Sequence, residues 1–136
     1  KGITNYDDLL KANIKVGVPM ATPIDNFLFM KKIPRELYNG NRRIMQGFAR
    51  KEVDAALVWA TAVSQAQREY PDQEFNMAEG YVPEKGHRWN LVMMVRKVDK
   101  SLIKFINEGI KELIEDGTIK NIVEKYGVPY YAPFSS

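Results

Sequence analysis

The side chains that usually carry catalysis are scarce in this chain. It has one histidine, His87, and no cysteine. Thiolate catalysis, disulfides, zinc–thiolate and iron–sulfur sites, and haem attachment through C-x-x-C-H are therefore excluded. The catalytic residues of a serine hydrolase or a metal hydrolase usually include more His or Cys residues than this chain contains. His87 stands between Lys85 and Arg88, which favours an exposed loop histidine over a general base. We therefore predict no catalytic residue, no metal ligand and no enzyme.

Thr22 is the first residue whose position suggests binding. An apolar strand is predicted over residues 14–18, and a short turn then leads to Thr22 and Pro23, a good N-cap and first helical residue. Such a strand–turn–helix junction can bind an anion, because free N–H groups and the helix dipole point at the turn. The alternative is that Thr22 only caps its helix. Neither GxGxxG nor GxxxxGK[ST] occurs, so no dinucleotide site or P-loop is predicted.

Trp59 is the last residue of a nearly all-apolar stretch, residues 53–59, and Thr61 lies two residues beyond it. A nearly all-apolar run of this length is typical of a buried parallel strand. Open α/β sheets place their ligand crevice at the carboxyl ends of such strands. Trp59 is thus either the floor of a pocket or a core residue.

A basic stretch lies between Leu28 and Lys51, where seven Lys and Arg residues stand against Glu36 alone, although the net charge of the chain is only +3. It is either a docking surface for an acidic partner or simply a solvated face. The candidate docking residues are Lys31, Lys32, Arg35, Arg42 and Arg43.

Apolar spacing and turn residues predict alternating strands and helices. Strands are expected at residues 14–18, 53–59, 73–78 and 89–96, and helices at 6–10, 23–32, 42–51, 60–70, 100–115 and 119–125. The expected N-caps are Thr4, Thr22, Asn41, Asp99 and Thr118. This alternation indicates an α/β fold with a mainly parallel sheet flanked by helices. The 136 residues are 45% hydrophobic, and no apolar run reaches the roughly 18 residues of a membrane span.

In this order, the elements resemble the type 2 periplasmic solute-binding proteins. The matching stretches are residues 2–9, the strand at 15–18 with the Thr22 turn, residues 50–59, and residues 99–127 with their Asp116-Gly117-Thr118 junction. The resemblance implies that residues 1–80 form the second lobe and 81–88 a hinge. Residues 89–136 would then be the returning strand and closing helices of a first lobe that is incomplete in this chain.

Two details of the resemblance bear on function. Amino-acid-binding members usually carry an Asp where this chain has Trp59-Ala60-Thr61, so an amino acid ligand is disfavoured. Val58-Trp59 and residues 126–129 resemble the J-type accessory proteins of quinoprotein methanol dehydrogenases. That implies a non-enzymatic periplasmic protein serving the dehydrogenase or its maturation, with methanol dehydrogenase and a c-type cytochrome as partners and no cofactor in this chain. The implied ligand-binding residues are Thr22, Trp59, Thr61, Arg88 and Trp89.

Two alternatives stay open: a small-solute receptor of an ABC transporter, and the effector-sensing domain of a regulator. The latter would need a DNA-binding helix pair that this sequence does not contain, so nucleic acid is not an expected partner. The chain begins at Lys1 without an apolar leader, which indicates a processed product or a fragment.

The helix at 100–115 raises a packing problem. The resemblance implies that it packs on the sheet of the first lobe, and this chain lacks that sheet. Its apolar face consists of Leu102, Phe105, Ile106, Ile110, Leu113 and Ile114. Leaving such a face in water is costly. We expect it to be covered by another chain or a cleaved N-terminal piece, by a second copy, or by folding back onto the second lobe.

Overall fold

The computed structural model describes residues 3–81, 83 and 86–134. The chain divides into two compact units, residues 1–88 and 89–136. The first unit alternates helices and strands in the order α1 (Tyr6–Lys11), β1 (Val16–Pro19), α2 (Pro23–Met30), β2 (Arg35–Tyr38), α3 (Asn41–Ala49), β3 (Ala55–Ala56) and α4 (Ala60–Glu69).

The three strands form one parallel sheet in the order β2-β1-β3. Val16 pairs with Arg35 on one side and with Ala55 on the other. The fold class is therefore confirmed at the level of a mixed α/β unit, with a small parallel sheet flanked by helices. Because β1 lies in the centre, its residues Val16, Gly17 and Val18 are all buried, which explains their apolar character.

The two faces of β1 carry different packing. Val16 and Val18 join the core formed with α1 and α2, which contains Tyr6, Leu9, Leu28 and Ile33. Gly17 points to the opposite face, where a Cβ would lie 2.9 Å from Ile44 Cγ2 of α3 and 3.2 Å from Val53 Cγ2. A glycine at this position therefore lets α3 pack closely on the sheet.

Strand β2 was not expected, because Pro34 and the Asn39-Gly40-Asn41 turn suggested only a helix stop and a loop. The chain instead forms a strand between them, at Arg35–Tyr38. Two of its four residues are charged, and its two central residues are exposed because the strand lies at the edge of the sheet. Edge strands tolerate charged residues that a buried-strand pattern leaves out.

Two expected strands are shorter or absent. The strand predicted over 53–59 reduces to Ala55–Ala56, and residues 73–78 form none. There, the side-chain amide of Gln67 on α4 donates to the carbonyl of Gln73 (2.7 Å) and accepts from the N–H of Phe75 (3.2 Å). The Gln67 side chain therefore satisfies backbone groups that would otherwise pair with a neighbouring strand.

The expected caps are partly confirmed. Thr22 caps α2, as predicted. The N-cap of α1 is Asn5 rather than Thr4, whose hydroxyl and N–H both donate to the Asp8 carboxylate instead. Asn41 and Thr118 were also predicted as N-caps, but they are the first helical residues of their helices. In both cases the preceding glycine is the N-cap and has a positive φ, 97° at Gly40 and 79° at Gly117.

The second unit contains α5 (Lys100–Glu115) and α6 (Thr118–Lys125), which confirms both predicted helices. Asp99 occupies the N-cap position of α5, but its carboxylate binds Arg96 (2.8 Å) instead of capping the helix. Helix α6 ends at Gly127, which has φ +72°. Its N–H donates to the Glu124 carbonyl, and that of Val128 to Val123, which is the Schellman arrangement of a helix end.

The strand predicted over residues 89–96 is not formed, since these residues lie outside any helix or strand. A strand needs a neighbour, and the described part of the chain offers none here. No residue of α5 or α6 is buried, and Leu102, Phe105 and Leu113 of the expected apolar face are exposed. Among the helices that the structure describes, none combines the length and apolarity needed to cross a bilayer.

Candidate functional site

The carboxyl edge of the sheet gathers most of the candidate residues of the first unit. All three strands are parallel, so they end at the same edge. Each strand is followed after two or three residues by a helix: α2 after β1, α3 after β2, and α4 after β3. Three helix N-termini, with their free N–H groups and positive dipole ends, therefore lie along one edge.

Thr22 lies in the turn after β1. Its Oγ1 accepts the N–H of Asp25 (3.4 Å) and donates to the Pro19 carbonyl (2.7 Å). The preceding residue, Ala21, has φ +58°, a left-handed conformation that costs a non-glycine residue roughly 1 kcal/mol. The Thr22 hydroxyl thus joins the end of β1 to the start of α2, and it shapes this part of the edge.

Replacing Thr22 by alanine should lower the free energy of unfolding by about 0.5–2 kcal/mol, because the N-cap bond to Asp25 is lost. Urea unfolding followed by circular dichroism measures the change. Thr22→Ser is the matched control, since it keeps the hydroxyl and should lose much less. Equal losses in both variants would contradict the capping role.

Asp25 is the third residue of α2, and its carboxylate is bound by two partners. Its carboxylate accepts from Arg35 Nε (2.6 Å) and from the N–H of Ala21 (3.0 Å). The Arg35 hydrogen bond is the main cause that lowers the pKa of Asp25 below its ordinary value of 3.8. Arg35 also stacks over the Phe29 ring, 4.9 Å from its centroid. Its guanidinium is therefore committed to the fold.

The Asp25–Arg35 pair predicts an acid-dependent loss of stability. Because the pKa of Asp25 is lower in the folded protein, the pair stabilises the fold above pH 4 or so, and this contribution disappears as the pH falls through the folded pKa. Asp25→Asn should cost about 1.5–3 kcal/mol at pH 7 and less at pH 3. Urea unfolding of both proteins at the two pH values measures this. A constant difference between them would contradict the linkage.

Trp59 and Thr61 follow β3. The N–H of Leu57 still donates to the Gly17 carbonyl of β1 (3.0 Å), so the chain reaches Trp59 at the edge where the Thr22 turn begins. Trp59 is the N-cap residue of α4, its side chain makes no capping bond, and it is 53% exposed. Trp59 is therefore a surface residue of this edge rather than part of the core. Thr61, in the first turn of α4, is exposed as well.

Arg88 and Trp89 are divided between the two units. Arg88 is the last residue of the first unit and is half-buried, whereas Trp89 is the first residue of the second unit and is exposed. The structure thus brings Thr22, Trp59 and Thr61 to one edge, with Arg88 in the same unit. Trp89 belongs to the other unit.

The five candidate docking residues do not form one surface. Lys31 and Lys32 follow the C-terminal end of α2, at the amino edge of the sheet, whereas Arg42 and Arg43 lie in the first turn of α3, at the carboxyl edge. Arg35 is bound to Asp25. The described contacts of the others are modest: Lys31 over Phe27 (5.6 Å), Arg42 to Glu69 (3.3 Å) and Arg43 to Gln46 (3.1 Å).

The first turn of α3 has an arrangement that the docking prediction for Arg42 and Arg43 did not include. Arginines in the first turn of a helix oppose its dipole, and α3 has two of them after an N-cap glycine that supplies no side-chain bond. The Oδ1 atom of Asn41 is buried without a hydrogen-bond partner among the described residues. The sequence Gly40-Asn41-Arg42-Arg43 contained the signal, but Asn41 was predicted only as the cap and the two arginines only as docking residues. This arrangement places two arginines at the carboxyl edge, of which Arg42 is paired with Glu69 (3.3 Å).

His87 is not the exposed loop residue that was expected. Its ring is half-buried, 4.8 Å from the Phe27 ring and 6.5 Å from the Tyr6 ring, and the Tyr6 hydroxyl meets that of Tyr81. The neighbouring charged residues suggested exposure, but the imidazole packs against aromatic rings instead. In the part of the chain that the structure describes, no group of three His, Cys, Asp or Glu residues is arranged to hold a metal.

The fold and this edge together define a class of protein: a mixed α/β chain whose three parallel strands bring helix N-termini and an exposed tryptophan to one side. Comparison with protein-family models, with curated proteins and with solved structures finds no match.

Proposed function

We propose that this chain is a non-enzymatic binding domain of the type 2 periplasmic solute-binding kind, which binds its partner or ligand at the carboxyl edge of the sheet. One observation carries the proposal: the order β2-β1-β3 brings three helix N-termini and the exposed Trp59 to the same edge. This is where open α/β sheets bind ligands. Thr22 and Thr61 provide hydroxyls beside it, and Arg88 is the further candidate from this unit.

The two arginines in the first turn of α3 support a binding partner that carries negative charge. Arg42 and Arg43 lie at the carboxyl edge, next to N–H groups that no side chain caps. Their charge steers acidic surfaces or anions towards this edge. An acidic protein surface and a small anion both meet this requirement, so the sequence resemblance is needed to choose between them.

The resemblance favours a protein partner. The chain has Trp59-Ala60-Thr61 where amino-acid-binding members carry the Asp that holds their ligand, and an exposed tryptophan is well suited to a protein interface. Together with residues 126–129, it supports an accessory protein of a quinoprotein methanol dehydrogenase, acting in its maturation or electron transfer. A periplasmic location and a c-type cytochrome as second partner belong to the same proposal.

The test is the binding of a purified quinoprotein methanol dehydrogenase, measured by calorimetry. We expect binding to weaken by about tenfold or more in the charge-reversal variant Arg42→Glu/Arg43→Glu, because like charges then oppose each other. The matched control is Lys31→Glu/Lys32→Glu, which makes the same charge change at the amino edge and should bind almost normally. No binding, or equal losses in both variants, would refute the proposal.

A small-solute receptor is the second candidate, favoured by the same exposed Trp59 and the same two arginines. In the Trp89→Phe variant, Trp59 is the only tryptophan and reports on this edge by fluorescence. A saturable change with inorganic phosphate or a small dicarboxylate, lost in Arg42→Glu/Arg43→Glu and seen without dehydrogenase binding, would assign the chain to this class.

A further inference from the structure

Asn39 and Gly40 form the only asparagine–glycine pair of this chain, and they lie in the bend between β2 and α3. Gly40 has φ +97° and ψ 159°, a conformation that is open essentially to glycine alone. The fold therefore requires a glycine here. It gives no comparable reason for the asparagine. The Asn39 side chain is exposed, is not the N-cap of α3, and has no hydrogen-bond partner among the described residues.

An asparagine followed by glycine can react with its own backbone, because glycine has no side chain to hinder the approach. The Gly40 nitrogen would form a bond to Cγ of Asn39, while the bond from Cγ to the side-chain nitrogen breaks. That nitrogen leaves as ammonia and takes the proton of the Gly40 N–H. Water then opens the cyclic imide at either of its carbonyl carbons. The product is a carboxylate on an α-linked or a β-linked backbone.

The structure leaves room for this reaction at the bend. A Cβ added at Gly40 would have nothing within 4 Å, so no packed neighbour surrounds the residue on that side. The Gly40 N–H donates to the Tyr38 carbonyl (3.1 Å), which also accepts the N–H of Met20 (2.9 Å). This short turn at the end of β2 must open before the nitrogen attacks. The Tyr38 carbonyl keeps its bond to Met20 when it does.

The first turn of α3 lacks the negative charge that stabilises the start of a helix. It has no acidic residue, its N-cap makes no side-chain hydrogen bond, and it contains Arg42 and Arg43. Arg42 is paired with Glu69 (3.3 Å), whereas the contact given for Arg43 is the neutral amide of Gln46 (3.1 Å). A carboxylate at position 39 would be attracted by the free N–H groups of α3 and by the arginines.

We propose that Asn39 is a self-modifying site, where conversion of the amide to a carboxylate adds the negative charge that the start of α3 lacks. The reactants are the Gly40 backbone nitrogen and water, so the conversion needs no enzyme or cofactor. The β-linked product also adds one carbon to the backbone between β2 and α3. The proposal is independent of the proposed function, because it concerns this chain alone and needs no ligand.

The first test follows the folded full chain over time in neutral and mildly alkaline buffer by peptide mapping with mass spectrometry. Conversion should become faster as the pH rises, because the attacking nitrogen must lose its proton. Asn13 is the internal control, since it is also exposed in a turn (φ +51°) but precedes the β-branched Ile14. Asn39 should convert roughly tenfold faster than Asn13 or more, because only Asn39 has a glycine after it.

The second test measures what the new charge does to α3. Asn39→Asp reproduces the charge of the α-linked product, whereas Asn39→Gln keeps an amide. The hydrogen-bonded amides of α3 should exchange about two- to fivefold more slowly in Asn39→Asp than in Asn39→Gln, and salt should reduce the difference. Asn121→Asp in α6 is the matched control. It makes the same charge change in the second unit and should leave the exchange of α3 unchanged.

Three outcomes would overturn the proposal. No conversion of Asn39 in the folded chain would mean that the fold protects it, and parallel mapping of the chain in urea measures how strongly. Equal conversion of Asn39 and Asn13 would remove the role of Gly40. Equal exchange of α3 in the two Asn39 variants would remove the effect of the charge. No outcome depends on dehydrogenase or anion binding, so the two proposals fail separately.

Discussion

Leu28→Ala should lower the free energy of unfolding of the first unit by about 2–5 kcal/mol, the largest effect expected of any substitution considered for this protein. Leu28 of α2 is completely buried and belongs to the cluster with Val16, Val18 and Tyr6. Truncation removes apolar contacts and leaves a cavity that β1, in the centre of the sheet, can fill only in part. Urea unfolding monitored by circular dichroism measures the loss.

Met30→Ala is the matched control on the same helix. Met30 lies two residues further along and is 72% exposed, so its truncation should change stability by no more than roughly 0.5 kcal/mol. A loss for Met30→Ala comparable to that for Leu28→Ala would mean that the outer face of α2 is covered. A small loss for Leu28→Ala would contradict the core described above.

Gly47→Ala should destabilise the first unit by about 1–3 kcal/mol, although alanine is the better helix former. Gly47 is buried in α3. An added Cβ would meet the Tyr38 ring, with Cζ at 2.8 Å and the hydroxyl oxygen still closer. Tyr38 ends β2 and its hydroxyl donates to Glu52 (3.3 Å), so the ring can move away only by breaking that bond. Chemical denaturation again gives the magnitude.

Two controls isolate the steric cause. Gly109 lies in α5 with nothing within 4 Å of an added Cβ. There, Gly109→Ala should raise helix stability by about 0.5–1 kcal/mol, the opposite sign. In a Tyr38→Phe background the nearest atom is gone, so Gly47→Ala should cost less than in the wild type. If Gly47→Ala is stabilising, α3 does not pack on Tyr38 as described.

The parts of the fold that could be predicted from sequence depend on local chemistry. Thr22 followed by Pro23 specifies the start of α2 wherever the rest of the chain lies. Gly127 ends α6, and the apolar spacing of residues 102–114 predicts α5, because both signals act within a turn or two of helix.

The strand predictions were wrong where the formation of a strand depends on neighbours that are distant in the sequence. The charged β2 forms because β1 lies beside it, whereas the apolar residues 91–95 remain unpaired for want of a neighbour in the described chain. Residues 73–78 bind the side chain of Gln67 instead of a strand. Composition shows that a segment can be a strand, and only the partner decides whether it becomes one.

In the candidate site too, positions that depend on local sequence could be predicted, whereas positions that depend on distant strands could not. Thr22 and Trp59 could be assigned to the carboxyl edge, because each lies at or just beyond the end of a strand that a short apolar run predicts. The separation of Lys31 and Lys32 from Arg42 and Arg43 could not be foreseen without β2. This strand reverses the chain between the two pairs and places them at opposite edges of the sheet.

The hydroxyl contact between Tyr6 and Tyr81 joins residues 75 positions apart, at the two ends of the first unit. The two ends of this unit therefore lie on the same side of it, where the His87 ring also packs against Tyr6. Units with adjacent ends can be placed within a loop of another protein without forcing that loop apart. The first unit should accordingly tolerate circular permutation: a variant of residues 3–88 that joins these ends with a short linker and opens the chain at an exposed loop should keep the parallel sheet.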